Sequence, residues 1–95
     1  MSKGYVIVTE AIKDPKAMAE YGKAAAKAMA NGVTVLAVDT KPQVLEGEWH
    51  GTQTVVLEFE SPEAARAWYE SEEYQAAIPL RQAAAEANAV IINGL

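Results

Sequence analysis

Four stretches of the chain have the apolar, β-branched composition of β-strands, and turn-forming residues separate them from the segments between. They are residues 4–10, 33–39, 52–60 and 88–93. In the first stretch, Val6, Val8 and Glu10 point to one face of the strand and the intervening residues to the other. In the third, Gln53, Val55, Leu57 and Phe59 share one face.

The segments between the first two and the last two strands have helical spacing. Asp14-Pro15 is a capping residue followed by a proline, which predicts a helix that ends at Asn31-Gly32. Its buried stripe is Met18, Tyr21, Ala25 and Met29.

Two start signals lie close together in the second helical segment. Ser61-Pro62-Glu63 opens a short helix, and Ser71-Glu72-Glu73 restarts it, which predicts a break near Glu70 and a further helix over residues 72–86. Pro79 lies inside that last helix and is expected to kink it.

The element order β-α-β-β-α-β predicts a single α+β domain over residues 1–95. It is the ferredoxin-like arrangement, in which a four-stranded antiparallel sheet carries its helices on one face. Residues 43–47 form either a short edge strand or an extended arm, and residues 48–51 a turn.

The first, second and fourth strands carry apolar residues on both faces, although the helices can cover only one. We therefore expect a homodimer that stacks the two sheets face to face. The alternative is that short central strands are simply apolar throughout.

Composition excludes several classes of protein. The chain has 95 residues, 51% of them hydrophobic, a net charge of −5 and no cysteine, so thiolate catalysis and disulfide scaffolds are ruled out. No basic stripe suits nucleic acid, and neither a signal peptide nor a membrane span is visible. We expect a cytoplasmic protein that needs no cofactor. We also expect no metal site, because His50 with Glu46 or Glu48 lacks further ligands.

Arg81 lies on an otherwise apolar helical stripe with Tyr74 and Ile78. A guanidinium there could bind an anionic ligand such as a carboxylate. It could equally pair with Asp39, Glu10 or Glu58, or extend its stem to reach water.

Several other residues could build a pocket between the sheet and the helices. His50, the single histidine, is a candidate general base, although a turn histidine is usually just exposed. The catalytic candidates are His50, Arg81 and Tyr21. The ligand-binding candidates are Arg81, Tyr5, Tyr21, Trp68, Tyr74 and Asn88, and Trp49 could pack across the dimer.

The segments VLEGEWHG and VVLEFESPEAARAWYESEEYQAAIPLR resemble domain-of-unknown-function family 1330, and the likeness extends over nearly the whole chain. The resemblance implies the dimeric α+β barrel superfamily and its dimer. It also implies a basic residue, often arginine, at His50, which points to charge rather than proton transfer. The chain departs from the family at residues 38–41, where members usually have a glycine-rich turn with a basic residue, and at Pro79.

Two functions remain open on these residues. One is a cofactor-independent enzyme, of the isomerase or monooxygenase type that this superfamily contains, acting on a small organic acid or an aromatic molecule. The other is a dimer that binds a small ligand or serves a structural purpose without turnover. No committed proton-transfer pair in the sequence separates them.

Overall fold

The computed structural model describes residues 2–29 and 32–95. Its secondary structure follows the predicted order, with the second helical segment divided in two. The elements are β1 (Gly4–Ile12), α1 (Pro15–Ala28), β2 (Thr34–Asp39), β3 (Gln53–Phe59), α2 (Pro62–Tyr69), α3 (Glu72–Ala84) and β4 (Ala85–Asn93).

The strands form one sheet in the order β2-β3-β1-β4, and every neighbouring pair is antiparallel. The register places Val8 beside Val55, and Glu10 beside Gln53. Both α1 and the α2–α3 pair pack against one face of this sheet. The ferredoxin-like α+β fold expected from the strand and helix order is confirmed.

Side-chain caps fix where the helices begin. The Asp14 carboxylate accepts hydrogen bonds from the backbone N–H groups of Lys16 and Ala17, at 3.1 and 3.2 Å, just before α1. Ser61 and Ser71 cap α2 and α3 in the same way. The predicted break between these two helices is therefore a second helix start.

The core lies between the helices and the inner face of the sheet. On β1, Val6, Val8 and Glu10 are buried and face the helices, whereas Tyr5, Ile7 and Thr9 are only half-buried. The other large buried apolar side chains are Leu57 and Phe59 of β3 and Trp68, Tyr74 and Ile78 of the helices.

The start of the last strand differs from the prediction. Residues 85–87 were expected to be helical or connecting, but β4 begins at Ala85, which has extended backbone angles (φ −154°, ψ 154°). Ala85 pairs with Ile12 and Glu86 with Ala11, because β1 itself continues two residues beyond Glu10. Pairing with β1 outweighs the helix propensity of alanine and glutamate there.

The opposite, outer face of the sheet carries no helix among the described residues. Val90 and Ile92 of β4 are 52% and 43% exposed. Residues 43–47 contain no strand, so the extended arm is the correct alternative of the two, and its Leu45 is 92% exposed. Gly32 has the predicted positive φ of 72°, whereas Asn31 lies outside the described residues. No helix of the described chain is long and apolar enough to cross a membrane.

Candidate functional site

A cavity of about 350 Å³ lies between α1 and the inner face of the sheet. Its walls are mainly apolar, and they come from all three helices and from β1, β2 and β3. The apolar residues that line it include Val8, Met18, Ala25, Val55, Leu57 and Trp68. A volume of this size suits a small organic molecule.

A carboxyl group lines this cavity. Glu10 is only 2% exposed, and its Oε1 accepts a 2.7 Å hydrogen bond from the side-chain amide of Gln53. The two residues face each other across β1 and β3 because the register pairs them directly. No described residue donates a hydrogen bond to Oε2, so this oxygen can accept one from a ligand.

Two tyrosine hydroxyls and a guanidinium form a chain of hydrogen bonds beside the same cavity. The hydroxyls of Tyr21 on α1 and Tyr74 on α3 are 2.8 Å apart, and both residues line the cavity. Arg81 donates from Nη1 to the Tyr74 hydroxyl at 2.9 Å. The guanidinium does not itself line the cavity, because Tyr74 stands between the two.

The hydrogen-bonded chain keeps Tyr21 protonated. Burial raises the pKa of Tyr21 well above 10, and the hydrogen bond with Tyr74 raises it further. The charge of Arg81 lowers this pKa by less than burial and Tyr74 raise it, and the nearby Glu10 raises it by a smaller amount still. Tyr21 is therefore a hydrogen-bond donor at neutral pH and a poor base.

Arg81 is 7% exposed, so its stem does not carry the charge out to water. Within residues 2–29 and 32–95 it forms no ion pair, and the expected alternatives Asp39, Glu10 and Glu58 are not its partners. Burial lowers the pKa of this guanidinium, but the adjacent Tyr74 and Tyr21 raise it by more. Its Nε has no hydrogen-bond partner in the described chain.

The start of α3 positions the aromatic wall. The Ser71 hydroxyl donates to the Trp68 carbonyl at 2.7 Å and accepts from the Tyr74 backbone N–H at 3.3 Å. This holds the rings of Trp68 and Tyr74 with centroids 4.1 Å apart. Trp68 thus forms core and cavity wall together, and its Nε1 has no partner among the described residues.

The other three candidates lie on the outer face of the sheet. His50 Nδ1 is 2.8 Å from Thr9 Oγ1, and Asn88 pairs with Thr9 across β1 and β4. Tyr5 donates from its hydroxyl to Glu58 at 3.1 Å on the same face. Because the sheet separates these residues from the cavity, they form no common site with Tyr21, Tyr74 and Arg81.

Glu10 and Gln53 are the site residues that the sequence analysis did not select. Glu10 appeared there as a position on one face of the first strand and as a possible partner of Arg81, but not as a site residue. The available signal was its position in the alternation Val6-x-Val8-x-Glu10, which places an acid on the buried face. An acid at such a position is costly unless it is hydrogen-bonded or functional.

The fold and the cavity define a ferredoxin-like α+β protein with a cavity large enough for a small molecule. A family model described as a domain of unknown function, DUF1330, matches residues 3–95. The chain belongs to this family, as its sequence motifs indicated. No protein of curated function matches it.

Several known structures share the fold at low sequence identity. A protein of unknown function from Rhodopseudomonas palustris is 18% identical, with a TM-score of 0.76 over 99% of this chain and 83% of that one. A dimeric ferredoxin-like protein of unknown function from Thermobifida fusca is 16% identical, with a TM-score of 0.65 over 99% and 92%. SnoaB, a cofactor-independent oxygenase from Streptomyces nogalater, is 9% identical, with a TM-score of 0.67 over 97% and 92%.

Proposed function

We propose that this protein is a cofactor-independent enzyme that moves a proton on a small molecule bound between α1 and the sheet. The observation that carries the proposal is the Glu10 carboxyl group, buried at the wall of an apolar cavity with one oxygen free for a ligand. A carboxylate positioned within reach of a substrate proton is an ordinary general base.

Glu10 takes the proton from a carbon next to a carbonyl group, or from a hydroxyl group, of the bound molecule. Gln53 fixes the carboxyl group through Oε1, so Oε2 is the oxygen that receives the proton. In an isomerisation, Glu10 then returns the same proton to a different carbon, and no electrons are gained or lost.

Tyr21 stabilises the negative charge that develops on the substrate oxygen. It stays protonated because its pKa is raised by burial, so it can donate a hydrogen bond to that oxygen. Arg81 donates to Tyr74, which favours donation by Tyr74 to Tyr21 and leaves the Tyr21 proton free for the ligand. Arg81 is thus a positioning residue that acts through two tyrosines.

An oxygenase reaction could use the same first step. The substrate anion left by this proton transfer would then give electrons to dioxygen, which is the oxidant, and form a carbon–oxygen bond with it. The hydroperoxide, once protonated, would lose water and leave a carbonyl group at that carbon. The likeness in fold to SnoaB, itself a cofactor-independent oxygenase, supports this version but is an analogy of fold alone.

Solvent-deuterium exchange at the acidic carbon of 2-tetralone tests the proposal without knowledge of the natural substrate. NMR follows the loss of the proton signal in D₂O with and without protein. We expect the protein to accelerate exchange, Glu10→Gln to reduce this acceleration by about 100-fold or more, and Tyr21→Phe to reduce it less.

Glu58→Gln is the matched control, because it makes the same change on the outer face, where Glu58 accepts from Tyr5. Its exchange rate should equal that of the unchanged protein. Binding of 2-tetralone without any acceleration would refute the enzyme and support the second candidate, a protein that binds a ligand without turnover. The position of His50 on the outer face favours that candidate. Apart from Glu10, the described residues that line the cavity then include no proton carrier other than tyrosines.

The homodimer is part of the same proposal. The exposed apolar residues of the outer face, including Val90 and Ile92, support stacking of two sheets, and so do the ferredoxin-like neighbours described as dimeric. Native mass spectrometry should detect a dimer, and Ile92→Asp should convert it to a monomer. A monomer at micromolar concentration would refute this interface.

A further inference from the structure

Gly22 occupies the middle of α1 without a packing reason. A Cβ atom at this position would meet no other atom within 4 Å. Its backbone is not among the positive-φ glycines, which are Gly32, Gly47 and Gly51. A glycine inside a helix weakens the helix relative to alanine, so this one lowers stability and relieves no clash.

What Gly22 does is leave the mouth of the cavity open. It lines the cavity together with Ala25 and Ala26, but only Ala25 is buried, whereas Gly22 and Ala26 are exposed and lie where the cavity meets solvent. Met18 and Met29 bound this segment on either side and also line the cavity. Methionine side chains adapt their shape readily, whereas a missing side chain creates room that no neighbour fills.

The charge of the cavity wall restricts what can occupy that room. Glu10 is the one charged side chain among the described residues that line it. A carboxylate or phosphate ligand would place a second negative charge near the buried Glu10 carboxyl group, which is unfavourable. The positive charge of Arg81 is used by Tyr74 behind the wall.

We propose that the cavity takes an uncharged, mainly apolar molecule with a hydroxyl or carbonyl group, and that Gly22, at the mouth of the cavity, limits the size of the molecule that can enter. The inference rests on the proposed site and goes further by choosing the ligand class. It replaces the anionic ligand that Arg81 suggested in the sequence. The hydroxyl or carbonyl group meets Glu10 and Tyr21, and the apolar part lies against α1.

Two probes of equal ring size separate charge from shape. 2-Naphthol is uncharged at neutral pH and 2-naphthoate is an anion, and calorimetry or ligand-observed NMR measures the binding of each. We expect 2-naphthol to bind at least about tenfold more tightly than 2-naphthoate. Glu10→Gln should remove most of this difference by improving the binding of 2-naphthoate.

Size is tested on α1 itself. Gly22→Leu should weaken 2-naphthol binding by at least about tenfold and leave the thermal midpoint equal to or above that of the unchanged protein. Gly22→Ala should raise the midpoint with a smaller loss of binding. Ala19→Leu is the matched control, because Ala19 is exposed on the same helix, as Gly22 is, but does not line the cavity.

The results distinguish this inference from the proposed reaction. Equal or tighter binding of 2-naphthoate, or failure of both probes to bind, would overturn the ligand class. Unchanged 2-naphthol binding by Gly22→Leu would overturn the assignment of Gly22. Either result leaves the exchange test at Glu10 to be judged alone. Conversely, 2-naphthol binding that Gly22→Leu removes supports the ligand class even if no 2-tetralone exchange occurs.

Discussion

The hydrogen bond between Arg81 and Tyr74 can be removed from either side, and the cost in stability should be much larger when Tyr74 is replaced than when Arg81 is replaced. Tyr74→Phe keeps the ring stacked on Trp68 but deletes the oxygen that accepts from Arg81. Arg81 then remains 7% exposed with no hydrogen bond from the described residues. Hydrogen bonds to charged groups contribute about 1.5–3 kcal/mol, so we expect a loss of about 2.5 kcal/mol in the free energy of unfolding.

Arg81→Met should cost less than about 1 kcal/mol. It removes a buried charge that has no carboxylate partner in the described chain, and the methionine fills similar volume. The Tyr74 hydroxyl keeps its contact with Tyr21. With Arg81 absent, Tyr74→Phe no longer leaves a buried charge without a hydrogen bond, so the double variant should lose only about 1 kcal/mol of stability. The two single costs together should exceed the cost of the double variant by about 2 kcal/mol, which is the coupling energy between the two residues.

Urea unfolding followed by far-UV circular dichroism measures all four proteins. Protomer concentration must be equal throughout, because the proposed dimer would make the measured stability depend on it. In a thermal scan, Tyr74→Phe should lower the midpoint by about 10–20 °C for a domain of this size. A larger cost for Arg81→Met than for Tyr74→Phe would refute the reasoning, since Arg81 would then depend on another partner.

The remaining predictions concern backbone, pH and capping. Gly51→Ala should cost about 3 kcal/mol, because Gly51 has φ +78° and its Cβ would meet the backbone carbonyl of Glu10, whereas Gly47→Ala at φ +73° meets nothing and should cost about 1 kcal/mol. Chemical denaturation compares these two, and equal costs would contradict the close approach. The pKa of Tyr21 is raised from 10.0 on folding, so the stability from its protonated form is complete below pH 10.0 and is lost as pH rises above that value. Tyr21→Phe should reduce this alkaline loss by up to about 1.4 kcal/mol per pH unit, and an unchanged slope would contradict the burial of the hydroxyl. Ser71→Ala should lower stability by about 1 kcal/mol through the loss of its cap at α3, measured in the same urea assay, and a change within error would contradict that contact.

Much of the fold could be predicted from local patterns. Strands and helices follow from periods of two and 3.6 residues, and the starts of all three helices follow from Asp14, Ser61 and Ser71 with the prolines or acids after them. These signals are local because a cap bonds to backbone groups two or three residues away. The start of β4 was predicted too late, because it depends on how far β1 extends, and no local pattern records that.

The sequence by itself determined the element order, the family and the presence of apolar residues on both faces of the sheet. The tertiary structure decided which candidates share a site. It placed Tyr21 beside Tyr74, residues 53 positions apart, and Glu10 beside Gln53, which are 43 apart. It also put His50 on the far face through Thr9. The physical reason is that a hydrogen bond or a cavity wall depends on distances across packed elements, whereas spacing along the chain reports only the face of each element.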